Sequence, residues 1–241
     1  MAIFRKRSGE APGPADATAE DVGWQRLRTR CLPISAARQR RLIDSGAGGA
    51  WQLDLEQGMA TIGSQPTSIQ VLGNSSTSGR SFMFGWHLSE LNGFDQRFAQ
   101  AAVAARSAAG RDGAPVFADD VVSTQDVDEA ELASVMSVLG SDAAMYRGPH
   151  DNGAIYFTLE EFDISTSLPT EAVLTVAASC LELGLHDHPT AMRSLLEYEG
   201  FELSAHQGKL EARRDGDTIV LSLDDRDRVS NIEGELRPRP A

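Results

Sequence analysis

The chain has 241 residues, 41% of them hydrophobic, and a net charge of -13, enough for one large domain or two modest ones with real cores. No apolar run approaches the roughly 18–20 residues of a membrane span, and Glu10-Ala11-Pro12-Gly13-Pro14 stands where a secretory signal would place its apolar stretch. Two widely separated cysteines, Cys31 and Cys180, are too few for a disulfide scaffold and point to a reducing, cytoplasmic setting.

Residues 1–44 read as a basic, largely flexible leader. Residues 1–22 are rich in alanine, proline, glycine and small acids, with nothing to bury. Trp24, Leu27, Cys31, Ile34 and Leu42 sketch a helix to about Ile43, which Pro33 is expected to break or restart. Residues 1–41 hold nine Lys/Arg against four Asp/Glu, whereas the rest holds 13 against 31. A body that acidic repels nucleic acid, so any such contact falls to the arm, for which a resting place against the acidic body is the simpler expectation.

Residues 45–165 read as an α+β domain organised on an antiparallel β-meander with packed helices. Trp51–Glu56 alternates apolar and polar residues and turns through Gln57-Gly58 into Met59–Ile62. Ile69–Leu72 follows, then the loop Asn74–Arg80, then Ser81–Trp86, a strand whose period of two sets Phe82, Phe84 and Trp86 on one face and Gly85 on the other. A helix from Gly93 to about Ala109, capped by Asn92, repeats Phe94, Phe98, Ala101, Ala102 and Ala105. Extended pieces at Pro115–Phe117 and Val121–Ser123 lead to a second helix, with Asp126 and Glu129 as its capping box and Leu132, Val135, Met136 and Leu139 as its stripe. Tyr146–Gly153 reads as a loop and Ala154–Leu159 as a strand.

The opening Trp51 strand, Ile69-Gln70-x-x-Gly73, the aromatic strand ending in Trp86, and Tyr146-Arg147-x-Pro149 resemble a bacterial family of unknown function with a Trp-rich central strand and a later Tyr-Arg-x-Pro segment. The likeness covers about residues 45–165. It departs at Phe82 and Phe84, where tryptophans are usual, and at His87, where asparagine is. It implies an α+β domain and brings no activity with it.

Residues 166–241 read as a smaller helix–helix–meander module. Thr170 is placed to cap a helix to about Leu183, and Asp187-His188-Pro189 opens another ending at Gly200. Four strands follow, Phe201–Ala205, Lys209–Arg213, Thr218–Leu223 and Val229–Leu236, joined by Gln207-Gly208, Asp215-Gly216-Asp217 and Asp224–Asp227, with a loose tail at Arg237–Pro240.

Chemistry is sparsely signalled. His186-Asp187-His188 offers two metal-ligand types but no matching pair elsewhere, and Asp187 is better used as a helix cap. The Gly73–Arg80 loop, with Arg80 at its end, could cradle an anion but lacks a P-loop's lysine and helix, and a plain hairpin loop is the simpler expectation. Arginines near Cys31 would favour its thiolate, but with no histidine close in sequence an inert thiol is the expectation. The acidic clusters Glu160-Glu161-x-Asp163 and Asp224-Asp225-x-Asp227 read as surface groups. Arg147 and His150 are the most suggestive polar pair: Arg147 either holds an anionic ligand against Trp86 or Tyr156, or braces its loop against an acid such as Glu160. No cofactor is expected. The composition favours a non-enzymatic protein whose acidic body engages a basic protein partner. The alternative is a small-molecule or hydrolase-like pocket at Trp86, Arg147 and His150, with Arg80 as a further binding candidate.

Overall fold

A computed structural model describes residues 19–162, 164 and 166–237. The expectations for residues 1–18, Asp163 and residues 238–241 lie outside that range. The first element is α1, Ala19–Asp44, a single helix that continues through Pro33. Proline removes one main-chain bond from a helix interior. Here burial overrides that local penalty: Leu27, Cys31, Leu32, Pro33 and Ala37 are all buried.

Seven antiparallel strands form the first sheet: β1 (Trp51–Asp54), β2 (Met59–Ile62), β3 (Gln65–Ser76), β4 (Ser81–Phe84), β5 (Val121–Ser123), β6 (Ala144–His150) and β7 (Gly153–Leu159). β3 is the spine. Its first residues pair with β2, its last with β4, and most of its length with β7. Val71 and Leu72 point to opposite faces by strand alternation and join different core clusters, next to a register shift between Val71 and Gly73.

Two sequence expectations are corrected within this sheet. Tyr146–His150 is strand rather than loop. As β6 pairs only with β7 among the described residues, Pro149 sits on an edge strand, where a missing N–H is tolerated. The aromatic strand stops at Phe84, and Gly85–Asn92 forms the short helix α2. A Cβ on Gly85 would lie 2.2 Å from the Val71 carbonyl oxygen, so the chain turns there only because glycine lets two backbones touch.

Helices cover one face. A 3-10 turn at Gln96–Ala99 precedes α3 (Gln100–Arg111), in place of the one helix expected from Gly93. Pro115–Phe117 is likewise a 3-10 turn rather than extended. α4 (Glu129–Gly140) is capped by Asp128, whose carboxylate accepts from the Ala130 and Glu131 N–H groups, not by Asp126. The alanines of α3 bring it against α4 so closely that a Cβ on Gly140 would stand 1.9 Å from the Ala101 carbonyl oxygen.

The remaining elements follow the sequence reading closely. α5 is Thr170–Cys180, with Pro169 rather than Thr170 at the cap position, and α6 is His188–Tyr198. The second sheet runs in the order β11-β10-β9-β8, comprising β8 (Glu202–His206), β9 (Lys209–Arg214), β10 (Asp217–Leu223) and β11 (Val229–Glu235). Gln207-Gly208 and Asp215-Gly216 all have positive φ, the conformation of tight hairpin turns.

One apolar cluster joins Leu27, Phe82, Phe84, Leu132, Val173, Leu195 and Ile219, so buried side chains from both sides of residue 165 are continuous. A second cluster, holding Ile69, Val71, Phe157 and Leu159 with Trp51 and Tyr146, fills the other face of the first sheet. α1 lies between the two halves, packing on α4 and β6 from one and on α5 and α6 from the other. Four of its arginines are tied to the rest of the fold. Arg28 pairs with Glu131 at 2.7 Å, Arg30 with Asp112 at 2.8 Å and Arg41 with Glu199 at 2.6 Å. Arg38 donates to the Ser137, Ser141 and Ala143 carbonyls at the C-terminal end of α4.

Candidate functional site

Phe82, Phe84 and Trp86 converge, although by a different route from the one the alternation implies. Phe82 and Phe84 come from β4 and Trp86 from the first turn of α2. Phe84 stacks on Trp86 at 4.2 Å and 9°, and meets Phe82 edge-on at 5.3 Å. The three are 0%, 0% and 5% exposed. The Trp86 indole N–H donates to Asp120 Oδ1 at 2.9 Å, and the Arg106 guanidinium lies over its ring. That ring face is therefore occupied by protein.

Arg147 and His150 are exposed and engaged elsewhere. Arg147 donates to the Tyr156 hydroxyl at 3.2 Å, so it braces a phenol rather than Glu160. Glu160 instead accepts from Thr158 and Ser141. His150 pairs through Nε2 with Asn74 Oδ1 at 3.0 Å and accepts the Asn152 N–H at Nδ1, a pattern that places its proton on Nε2. Trp86, Arg147 and His150 thus have three separate sets of partners.

Arg80 lines a cavity of about 330 Å³ together with Ser75, Ser76, Thr77, Thr124, Gln125 and Glu129. β3 runs on to Ser76, so the expected loop is only the turn Thr77–Arg80. The turn is fixed on both sides: the Thr124 N–H donates to the Arg80 carbonyl at 2.9 Å, the Thr77 N–H to that of Asn152 at 2.8 Å, and the Gly79 N–H to Ser76 Oγ at 3.0 Å. Arg80 itself has φ +47°, an uncommon conformation for a residue with a side chain. Close by, burial raises the pKa of the Tyr156 hydroxyl; its bond from Arg147 opposes that shift and the Glu129 charge adds to it. Sequence reasoning flagged Arg80 but missed Glu129, which it assigned to a capping box.

The other candidates are placed plainly. Asp187 caps α6, accepting the Thr190 N–H at 2.9 Å, and His188 Nδ1 accepts the Val229 N–H. Among the described residues no three His, Cys, Asp or Glu side chains are grouped to hold a metal ion, and none joins His186 and His188. Asp224 sits at the start of a turn where its hydrogen bonds from Arg228 hold its carboxyl down at about 2. Burial pushes the Cys31 thiol, and that of Cys180, up to about 12 from an ordinary 9.

Two such thiols make the fold sensitive to alkali. Each favours the native state while it is protonated in both states. That contribution is lost as pH rises from 9, where the unfolded thiols ionise, toward about 12. Urea midpoints are expected to fall across this window, and less steeply for Cys31→Ala/Cys180→Ala than for the parent chain. Equal slopes for the two proteins would contradict this assignment.

Taken together, these features define an α+β protein with two antiparallel sheets, a central helix, a filled aromatic core and a small polar cavity at the Thr77–Arg80 turn. The chain belongs to a family of unknown function (DUF6882), matched over residues 25–162. The match begins within α1, twenty residues before the resemblance suggested by the strand motifs, and includes Arg28, Arg38 and Arg41. No curated protein and no solved structure matches the chain. No helix among the described residues is long and apolar enough to cross a membrane.

Proposed function

We propose that this is a non-catalytic binding protein whose acidic surface engages a basic protein partner through β11, one of the two free edges of its second sheet. The observation that carries the reading is β11. Among the described residues it pairs on one side only, with β10, and Ser230, Asn231, Glu233, Gly234 and Glu235 along it are exposed. Its outward row holds Glu233 and Glu235, and the turn before it exposes Asp225 and Asp227. An unpaired edge presents main-chain donors and acceptors to any extended segment. Carboxylates along it repel a second copy of the same edge and attract a lysine- or arginine-bearing strand. Two further features support a binding role. Three arginines of α1, Arg28, Arg38 and Arg41, are held inside by carboxylates and carbonyls. The aromatic trio is packed on protein, and Trp86, Arg147 and His150 each serve a structural contact.

The test uses the full chain and its Glu233→Lys/Glu235→Lys variant as paired baits in a lysate of the native host. The expected result is a basic protein held by the parent that, once purified, binds the variant about tenfold or more weakly. Retention of the same proteins with the same affinities by both baits would overturn the proposal.

A further inference from the structure

The cavity beside the Thr77–Arg80 turn holds unlike charges that are unpaired among the described residues. Arg80 lines it from the β3–β4 turn, and Glu129 from the first residue of α4. Among the described residues neither side chain has a hydrogen-bonding or ion-pair partner, and the two do not pair with each other. Exposed unlike charges do close on one another elsewhere in the molecule: Arg40–Asp44, Arg97–Asp95 and Arg228–Asp224 pair at 2.6–3.1 Å.

The rest of the lining is equally polar. Ser75, Ser76, Thr77 and Thr124 supply hydroxyls, and Gln125 supplies an amide. The walls are built before anything arrives, since the Arg80 carbonyl, Ser76 Oγ and the Asn152 carbonyl each accept a main-chain N–H from the segments flanking the cavity. The uncommon backbone of Arg80 belongs to this arrangement, because a left-handed turn residue aims its side chain differently from an extended one.

We infer that this cavity is a binding site for a small zwitterion, a free polar α-amino acid, whose carboxylate is taken by Arg80 and whose ammonium group by Glu129. A guanidinium offers two parallel donors to a carboxylate, and a carboxylate is the natural acceptor for an ammonium group. At about 330 Å³ the cavity lies at the small end of ligand pockets, which run from about 300 to 1,000 Å³. Its lining of hydroxyl and amide groups favours a hydrophilic side chain over a branched apolar one. A simple anion would leave Glu129 repelled, and a simple amine would leave Arg80 unmatched, so the pair of charges selects a ligand carrying both. The site lies on the first sheet and does not depend on the partner reading at β11.

The test is titration of the full chain, followed by amide chemical shifts and by calorimetry, with each common amino acid and with two half-ligands, glycolate and ethanolamine. A polar amino acid is expected to bind in the micromolar to millimolar range, shifting the amides of residues 75–80 and 124–129. The half-ligands are expected to bind at least about tenfold more weakly, and Arg80→Met and Glu129→Gln each to weaken the amino acid by about tenfold or more. Arg80→Lys provides a second variant that keeps the charge without the two-pronged donor, and is expected to bind with intermediate affinity. Unchanged melting temperatures separate loss of the site from loss of the fold. The inference is overturned if no amino acid binds at millimolar concentration, or if binding persists unaltered in both Arg80→Met and Glu129→Gln.

Discussion

Replacing Glu199 by alanine is expected to lower stability by about 3–5 kcal/mol, the range seen when one member of a buried ion pair is removed. The Glu199 side chain is fully buried and meets Arg41, 8% exposed, at 2.6 Å. Its other oxygen accepts the Leu168 N–H at 2.8 Å and faces Arg214 at 3.8 Å. Alanine would leave two guanidinium groups in the interior without a counter-charge, and Arg41 already has one buried nitrogen, Nε, with no partner. The loss should appear as a fall in melting temperature of about 6–20 °C, at about 2–4 °C per kcal/mol for a chain of this size. Asp44→Ala serves as the control. It removes an arginine partner too, but from a pair more than 40% exposed at both ends, so it should change stability by less than about 1 kcal/mol. A Glu199→Ala loss no larger than the Asp44→Ala one would show that the interior network does not hold α1 to α6.

Phe84→Ala is the second large effect, also expected at about 3–5 kcal/mol. Phe84 is fully buried and stands at the centre of the aromatic cluster, against Phe82, Trp86 and, at 5.7 Å, Phe117. Removing it takes away both the transfer free energy of a ring and the stacking partner of Trp86. The neighbours come from β4, α2 and the segment after α3, so they have little freedom to close the space together. Phe84→Leu retains most of the volume and should cost markedly less. Urea denaturation of the three proteins measures both steps. A similar loss for leucine and alanine would indicate that ring stacking rather than volume sets the cost, and a loss below about 1 kcal/mol for alanine would mean the cluster is not tightly packed.

The parts of this fold legible in the sequence are those decided by neighbours along the chain. Asp187 three residues before Thr190, and the Gln207-Gly208 and Asp215-Gly216 turns, encode the C-terminal helix start and hairpins locally, and the structure reproduces them within a residue or two. The elements that escaped are decided by distant contacts. Pro33 does not interrupt α1 because that helix is buried on several sides. Gly148 and Pro149 look like a turn, yet they extend along β7, where Trp51 packs over Gly148. Trp86 fits the strand alternation perfectly but begins a helix, because Gly85 is pressed against the backbone of β3.

The same contrast governs the sites. Arg28, Arg38 and Arg41 look like a solvated basic arm when only their neighbours are read, whereas their partners lie about 100 to 160 residues away. Trp86, Arg147 and His150 are individually conspicuous, but no local signal reveals that each is committed to a different structural contact. Arg80 stood out after its Gly/Ser-rich turn. Glu129 was hidden by a capping pattern that Asp128 fulfils instead.

The exposed edge at β11 is the claim on which the binding role rests. It is tested most directly by hydrogen–deuterium exchange of the full chain, alone and saturated with the captured basic partner. Slowed exchange confined to residues 229–235 and the turn before them is the expected outcome, because a strand added there would occupy main-chain groups that now face solvent. Unchanged exchange along those residues, with protection appearing elsewhere on the surface, would show that the partner docks on a different part of the molecule.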